Sequence, residues 1–571
     1  MLGLGDKKSE ENTKPKETTE KKSNSSEKFS YDKKYFERRR HQMEETFNAI
    51  KGDLKELADY FAPNSVQFLV DDVNKARKKA KKIVDSTPLI AVRNFSSGMM
   101  TGATSPTRRW FKTVLMNKDV ENSHEVKDWC ARQAELTRKI LYSSNFYQVL
   151  PSVYKHLGIF SFAALALIPD FDTVVKFKLL PIGSYFYSKN YKDVIDTVCR
   201  NFMMSAKDLI DEFGIENVSD NVRDSVEKNP DKMFEVVHFV EPNKNYIKNS
   251  SVKYEKKYVS VYYEAKNDKF LRMSGFSKFP FVVFENGSVG ENNYPTEGIG
   301  YQALPDVKQL MTMVTEYAKA VKKIISPAIK GPASLKGKGL ADTPSHYNVT
   351  DENGVGISPV YEVNPRILEL KQEKDELKET IKEHFYNDLF AMILNTAERS
   401  RTATEVNELK EEKMVLLSPL LEQIHSALRQ VLDWIFTEED EKGILPPYPD
   451  IIQGQEIEVE FVSTLAQAMK AQNIASMERF TTFVANMGQA IDPILLKKIQ
   501  GEKMIDDYAD FANIDPSQVT PTEVIEELRA VAEAKEQQQE MMQQIQAGGQ
   551  FVKNMGGVDA IGQGLMARVG G

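Results

Sequence analysis

Gly331, Gly337 and Lys338 come nearest in this chain to a reactive motif. A glycine loop that cradles phosphates needs the pattern G-x-x-x-x-G-K followed by Ser or Thr, between a strand and a helix. Here the spacing is one residue too long, and Gly339 stands where the hydroxyl belongs. The stretch also lies among Pro327, Pro332, Pro344 and Pro359. It is rejected as a nucleotide site. The seven histidines are scattered, with no partner at a zinc-enzyme spacing. His384 and His425 fall on the polar flanks of amphipathic helices and read as structural or solvated. No G-x-S-x-G elbow occurs. The acid pairs Asp71-Asp72 and Asp506-Asp507 are sequence neighbours, whose side chains diverge on any regular element. The chain is therefore read as no enzyme, with no metal and no cofactor.

Cations remain as candidates for contact rather than catalysis. Lys75–Lys82 reads KARKKAKK, which is either a phosphate contact or, the preferred reading, one solvated helix face. Arg399 and Arg401 sit in Asn395–Glu405, NTAERSRTATE. Thr402 and Glu405 there have capping-box spacing, so a helix is predicted to start behind Thr402 and Asn395–Arg401 to form a loop.

Composition limits the partners. The 571 residues are 41% apolar with a net charge of −8, which excludes a basic nucleic-acid coat. Cys130 and Cys199 cannot build a disulfide framework and fit a reducing compartment. Met1–Glu20 is too polar for a signal peptide, and the longest apolar run, Gly158–Ile168, falls short of the about 20 residues a bilayer requires. These features predict a soluble protein made inside a cell, with no membrane partner.

The elements that would position those cations follow from periodicity. Residues 1–29 are polar and predicted to be a disordered tail. Tyr31–Phe61 and Ser123–Leu141 read as helices. Ala164–Ile168, Val174–Leu180, Tyr185–Tyr187, Thr197–Met203, Glu235–Val240, Tyr258–Tyr263 and Phe281–Phe284 read as strands, with a short helix at Ser205–Phe213. Leu304, Val307, Leu310, Val314, Tyr317, Val321 and Ile324 make one helical stripe; Leu370, Leu377, Ile381, Phe385 and Leu389 make another. The two helices flank a loop-rich excursion, 327–359, as the legs of a hairpin. A later helix carries Leu417, Leu420, Leu421, Ile424, Leu428, Val431 and Ile435, with Pro419 predicted to bend it. Ile457–Val462 reads as a strand and Leu465–Met487 as a helix. Residues 523–547 are Glu/Gln-rich with a thin apolar stripe. Ser96–Phe111, SSGMMTGATSPTRRWF, stands apart: its small residues permit close approach, and Ser105-Pro106 ends any helix before Arg108, Arg109, Trp110 and Phe111.

That run, followed in order by Leu157–Ile168, Leu180-Pro181-Ile182-Gly183, Asp196–Gly214, Phe279-Pro280, Gly298–Leu310, Thr402–Val406 and Val462–Gln472, resembles the phage portal family, the head-to-tail connectors of short-tailed, T7-like phages. The resemblance spans about Tyr31 to Ala534. The chain departs from the family at Phe284-Glu285 and at Tyr294–Gly298. The resemblance implies an α+β, mainly helical portal fold, assembled as a ring that is usually a dodecamer. A mixed wing would take 30–302, the first stem helix 303–325, a clip 326–364 and the second stem helix 365–390. The channel loop would be 391–402, a long kinked helix 403–437, a crown 438–522 and a C-terminal helix or barrel segment 523–571.

It further implies a non-catalytic channel at one capsid vertex of a virion assembled in the host cytoplasm. DNA would be packaged and ejected through it. Partners would be other copies of itself, the major capsid protein, scaffolding protein, terminase large subunit, tail adaptor and double-stranded DNA without sequence preference. Asn395, Glu398, Arg399, Ser400 and Arg401 would form the channel loop. Lys319, Lys322 and Lys323 would be stem candidates for the channel. Lys330, Lys336, Lys338, His346 and Tyr347 would contact the adaptor or terminase. The alternatives are a helical internal capsid or scaffolding protein and a DNA-processing enzyme.

Overall fold

A computed structural model describes residues 29–63, 82–117, 123–248, 250, 252–266, 270–287, 294–325, 329–330, 358–359, 367–394, 403–452, 457–490, 501–511 and parts of 519–542. In chain order these hold helix α1 (Lys33–Phe61), α2 (Thr87–Ala103), strand β1 (Phe111–Leu115), α3 (His124–Ser143) and α4 (Phe146–Phe160). Strands β2 (Phe162–Asp170), β3 (Val174–Leu179), β4 (Tyr185–Lys189) and β5 (Ile195–Ser205) follow, then α5 (Ala206–Phe213) and α6 (Asp220–Lys228). Next come β6 (Met233–Pro242), β7 (Tyr258–Glu264), β8 (Phe270–Phe276) and β9 (Phe281–Glu285). The remainder is α7 (Ile299–Ile325), β10 (Ile329–Lys330), β11 (Ser358–Pro359), α8 (Ile367–His384), α9 (Asn387–Leu394), α10 (Ala403–Glu441), β12 (Ile457–Phe461), α11 (Thr464–Ala490) and α12 (Gly501–Phe511). No described helix is long and apolar enough to cross a membrane.

The chain divides into two compact units. The smaller holds residues 1–41 and 204–277. Its sheet is the antiparallel meander β6–β7–β8, with Val237 opposite Tyr263 and Val261 opposite Met273. Phe36, at the start of α1, packs on Phe239 and Phe270 at 5.3 and 6.0 Å between ring centres. Ser205 caps α5 by accepting from the Asp208 N–H, the short-range bond that its residue type offers a helix start.

The larger unit holds residues 42–203 and 278–571. Its strand β2 lies between β3 and β9, antiparallel to both. Phe162–Leu167 is buried on both faces, which is why the sequence there is continuously apolar rather than alternating. The long run Gly158–Ile168 is thus the end of a helix and a core strand, divided at Ser161 with φ of 68°. β4 and β5 form a hairpin. β1 pairs with β12, Phe111 opposite Phe461, although they lie far apart in the chain. Trp110 is buried beside this pair and donates its indole N–H to the Tyr147 hydroxyl at 3.1 Å.

Candidate channel and assembly interface

Two long helices of the larger unit form an antiparallel hairpin. Near its base His384 Nε2 and Asp306 Oδ2 are 2.9 Å apart. Further out, the Lys374 ammonium lies 4.9 Å from the centre of the Tyr317 ring. The sum of the paired numbers is nearly constant along the legs, as an antiparallel pairing requires. Beyond the legs, Ile329 pairs with Pro359 and Lys330 with Ser358, so a short β-bridge joins the two ends of the stretch between the legs. Replacing Asp306 with Ala removes the acceptor that orients His384 and is expected to destabilise the larger unit by about 1 kcal/mol, measured by urea unfolding.

The base of the hairpin is locked to the core by close approach. A Cβ on Gly300 would stand 2.1 Å from the Ile159 carbonyl oxygen, so only glycine lets α7 begin against the end of α4. α8 is tied to the start of α2 through Lys378, whose ammonium reaches the Asp85 carboxylate at 2.7 Å. That contact and the hydrogen bonds from Thr87 hold the Asp85 carboxyl below its ordinary value against the opposing effect of burial.

α2 is the hub of this region. Gly98 takes the Phe390 ring of α9: a Cβ there would stand 2.2 Å from the ring. Gly102 takes Leu465 of α11 in the same way, at 2.8 Å. Phe61, Phe95, Phe385 and Phe390 are all buried and their rings are in edge or tilted contact. Small residues at i and i+4 thus make two sockets on one helix face. The first holds the helix that runs into residues 395–402; the second holds the helix behind β12. Past that segment α10 is anchored through Leu417, Leu421, Ile424, Leu428, Val431 and Ile435, all fully buried. Residues 395–402 therefore connect two helices that are each fixed to the core.

A family model described as "Bacteriophage head to tail connecting protein" matches residues 33–519. The chain belongs to this family. The portal protein of Salmonella phage epsilon15 is 32% identical over 506 residues, 88% of this chain and 91% of its own. The probable portal protein of Bordetella phage BPP-1 is 32% identical over 524 residues, 90% of this chain and 94% of its own. Among solved structures, a chain in the neck of an empty gene transfer agent particle is 10% identical, with 69% of this chain and 86% of that chain covered at a TM-score of 0.34.

In this connector Lys319, Lys322 and Lys323 lie exposed on α7. Lys319 is 61% exposed and reaches Glu316 at 2.7 Å. Pro419 lies within α10, which continues through it. Thr402, Asn395, Glu398, Arg399, Ser400 and Arg401 fall outside the described residues, as do Lys336, Lys338, His346, Tyr347, the tail 1–28 and most of Lys75–Lys82. The backbones of Lys330 and Glu405 are described within β10 and α10; their side chains are not.

Several sequence expectations need correction. The second leg is not one helix over 365–390: it ends at His384, Tyr386 turns left-handed with φ of 55°, and α9 starts at Asn387. The break swings Phe390 into the Gly98 socket, a tertiary gain that periodicity cannot display. Residues 391–394, expected in the loop, accordingly belong to α9. α7 starts at Ile299 rather than 303, because Gly298 and Gly300 serve close packing and not a loop. α10 runs to Glu441, past the expected end at 437. His425 is not on a polar flank: it is buried and stacks on Phe461 at 4.1 Å with the rings 5° from parallel.

Sequence reasoning also passed over Phe390, Leu465 and Glu439. The two apolar residues sit in ordinary helical stripes, and nothing local marks them as socket partners. Glu439 is one of several acids in a row. Its carboxylate is fully buried, accepting from Thr137 Oγ1 at 2.7 Å and Gln133 Nε2 at 3.1 Å, and burial pushes it up to about 7. Gln133 accepts in turn from Thr113 of β1 at 2.6 Å, so one polar network joins α3, β1 and the end of α10.

Proposed function

We propose that copies of this chain form a ring, of about a dozen subunits as the family resemblance implies, at one vertex of a phage capsid. Its axial channel passes double-stranded DNA into the head during packaging and out during ejection. Membership of the connector family carries this reading. The hairpin of α7 and α8, with its excursion closed by β10 and β11, supports it by supplying the two stem legs and the clip between them. In the proposed arrangement residues 30–302 are the wing, 438–522 the crown and 523–571 the C-terminal segment. The ring joins the major capsid protein during assembly around a scaffolding protein. The clip, with Lys330, Lys336, Lys338, His346 and Tyr347, meets the terminase large subunit first and the tail adaptor later. Exposed loops suit such successive partners.

A conduit must let DNA move, and each phosphate it neutralises adds a salt-dependent grip. A chain of net charge −8 with a few cations at one loop suits passage better than a coat would. Asn395, Glu398, Arg399, Ser400 and Arg401 are proposed to line the constriction, with the arginines touching phosphates. No catalytic step is assigned to the chain; the motor's energy comes from its terminase partner.

Proheads assembled with and without the chain, supplied with packaging motor and DNA, test the function. Nuclease-protected DNA is expected only when the chain is present. Equal protection without it would favour an internal scaffold. The double substitution Arg399→Ala and Arg401→Ala is expected to leave prohead assembly unchanged and lower the retained DNA severalfold, with a shallower salt dependence. Unchanged retention would remove the arginines from the channel.

A further inference from the structure

Within the hairpin, the facing side chains are known: Asp306 with His384 and Tyr317 with Lys374. Successive helical residues turn by about 100°, so these pairs define what each leg shows on its far side. On α7 the direction opposite Tyr317 falls on Lys308, Thr312, Lys319, Lys322 and Lys323. On α8 the direction opposite Lys374 falls on Gln372, Glu376, Glu379 and Glu383, with Asp375 at the edge. The exposed positions agree, since each of these ten residues apart from Lys308 is exposed, and Lys308 is half-exposed where it reaches Glu56. The hairpin therefore carries a largely basic outer face on one leg, with the exposed Glu316 at its edge, and an acidic outer face on the other. Toward the excursion each leg also leaves an apolar side chain open, Ile325 at 77% and Leu368 at 82% exposure.

A closed ring built from one kind of chain needs a heterologous contact, in which two different and complementary patches of each copy meet. We infer that these two faces are that pair: the lysine face of α7 seats on the acidic face of α8 in the neighbouring copy, with Ile325 and Leu368 adding an apolar contact at the excursion end. The inference rests on the ring reading above. Lys319 and Glu379 at present make only exposed bonds one turn away, to Glu316 and Lys382, both at 2.7 Å. Such surface pairs exchange readily for a contact that also removes water. The placement gives Lys319, Lys322 and Lys323 a protein partner in place of DNA. The acidic face beside them would repel a phosphate backbone and attract the lysines of the next copy.

Three variants of the full chain test this. The first is Lys319→Glu, Lys322→Glu and Lys323→Glu; the second is Glu376→Lys, Glu379→Lys and Glu383→Lys; the third carries all six changes. Light-scattering mass and electron microscopy report the ring fraction, and thermal melting reports folding. Each triple is expected to lower the ring fraction at least tenfold with unchanged melting, and the sixfold swap to restore it. Rings of the unmodified chain are expected to dissociate as salt rises from 0.1 to 1 M, as screening requires. Triples that keep wild-type rings, or salt-insensitive rings, would overturn the contact. Intact rings that retain less DNA in the lysine variant would assign the lysines to the channel instead. If the unmodified chain forms no ring with capsid partners present, the ring reading itself fails.

Discussion

Gly98→Val is expected to destabilise the larger unit by about 3 kcal/mol or more, at the upper end of core overpacking. The first added carbon would already stand 2.2 Å from the Phe390 ring, and α2 cannot retreat because α4, α8 and α11 pack against it. The complementary change, Phe390→Ala, empties the socket and is expected to cost about 3–5 kcal/mol. The two defects have opposite volumes. Combining them lets the valine occupy space the ring has left, so the double variant is expected to be more stable than the sum of the single changes by about 1–3 kcal/mol. Urea unfolding of the four proteins measures the coupling. Additive losses would show that Gly98 and Phe390 do not share a socket. The stake is functional as well as structural, because α9 runs directly into the segment proposed to face DNA. Protease cutting within 395–402 is expected to accelerate in Phe390→Ala well before global unfolding.

The second large effect concerns Glu439. A carboxyl raised to about 7 in the folded chain takes up a proton there at pH values where the unfolded chain has already lost it. Between the ordinary glutamate value near 4.5 and pH 7 the unfolded state binds fewer protons, so stability falls as pH rises through that window and is level above it. The loss attributable to this one group is on the order of 3 kcal/mol between pH 4.5 and pH 8. Glu439→Gln keeps the shape without the charge; its amide oxygen can still accept from Gln133 Nε2, and its NH2 donates toward Thr137 Oγ1 as a protonated carboxyl would. It is expected to be more stable than the parent at pH 8 and to match it at pH 5. Denaturant unfolding of both proteins across this range reads the difference directly. A constant offset between them at all pH values would show that Glu439 is ionised throughout and that its network is not held by a neutral carboxyl.

These two sites show how far the residues alone could be read. The strands of the mixed region and the legs of the hairpin were legible because each rests on its own period: Tyr258–Tyr263 carries β-branched and aromatic residues in a row, and Leu304 to Ile324 recurs every three or four positions. β1 was not legible, because five residues, Phe111–Leu115, become a strand only through β12 much later in the chain. Nor was α4, where Pro151 interrupts an otherwise apolar helix. Ser96–Phe111 was recognisable as unusual from its small residues, yet its occupants, Phe390 and Leu465, come from distant helices and leave no local trace. The charged faces of the hairpin lie in between. The acids of α8 recur at helical spacing, so a face was readable, but the pairings of Tyr317 with Lys374 and of Asp306 with His384 are what show that it points away from α7.

Negative-stain electron microscopy of the purified chain, with mass by light scattering, tests the central claim most directly. The account predicts annular particles with a central hole and a mass near a dozen copies. Absence of annular particles even when scaffolding and major capsid proteins are supplied would contradict it.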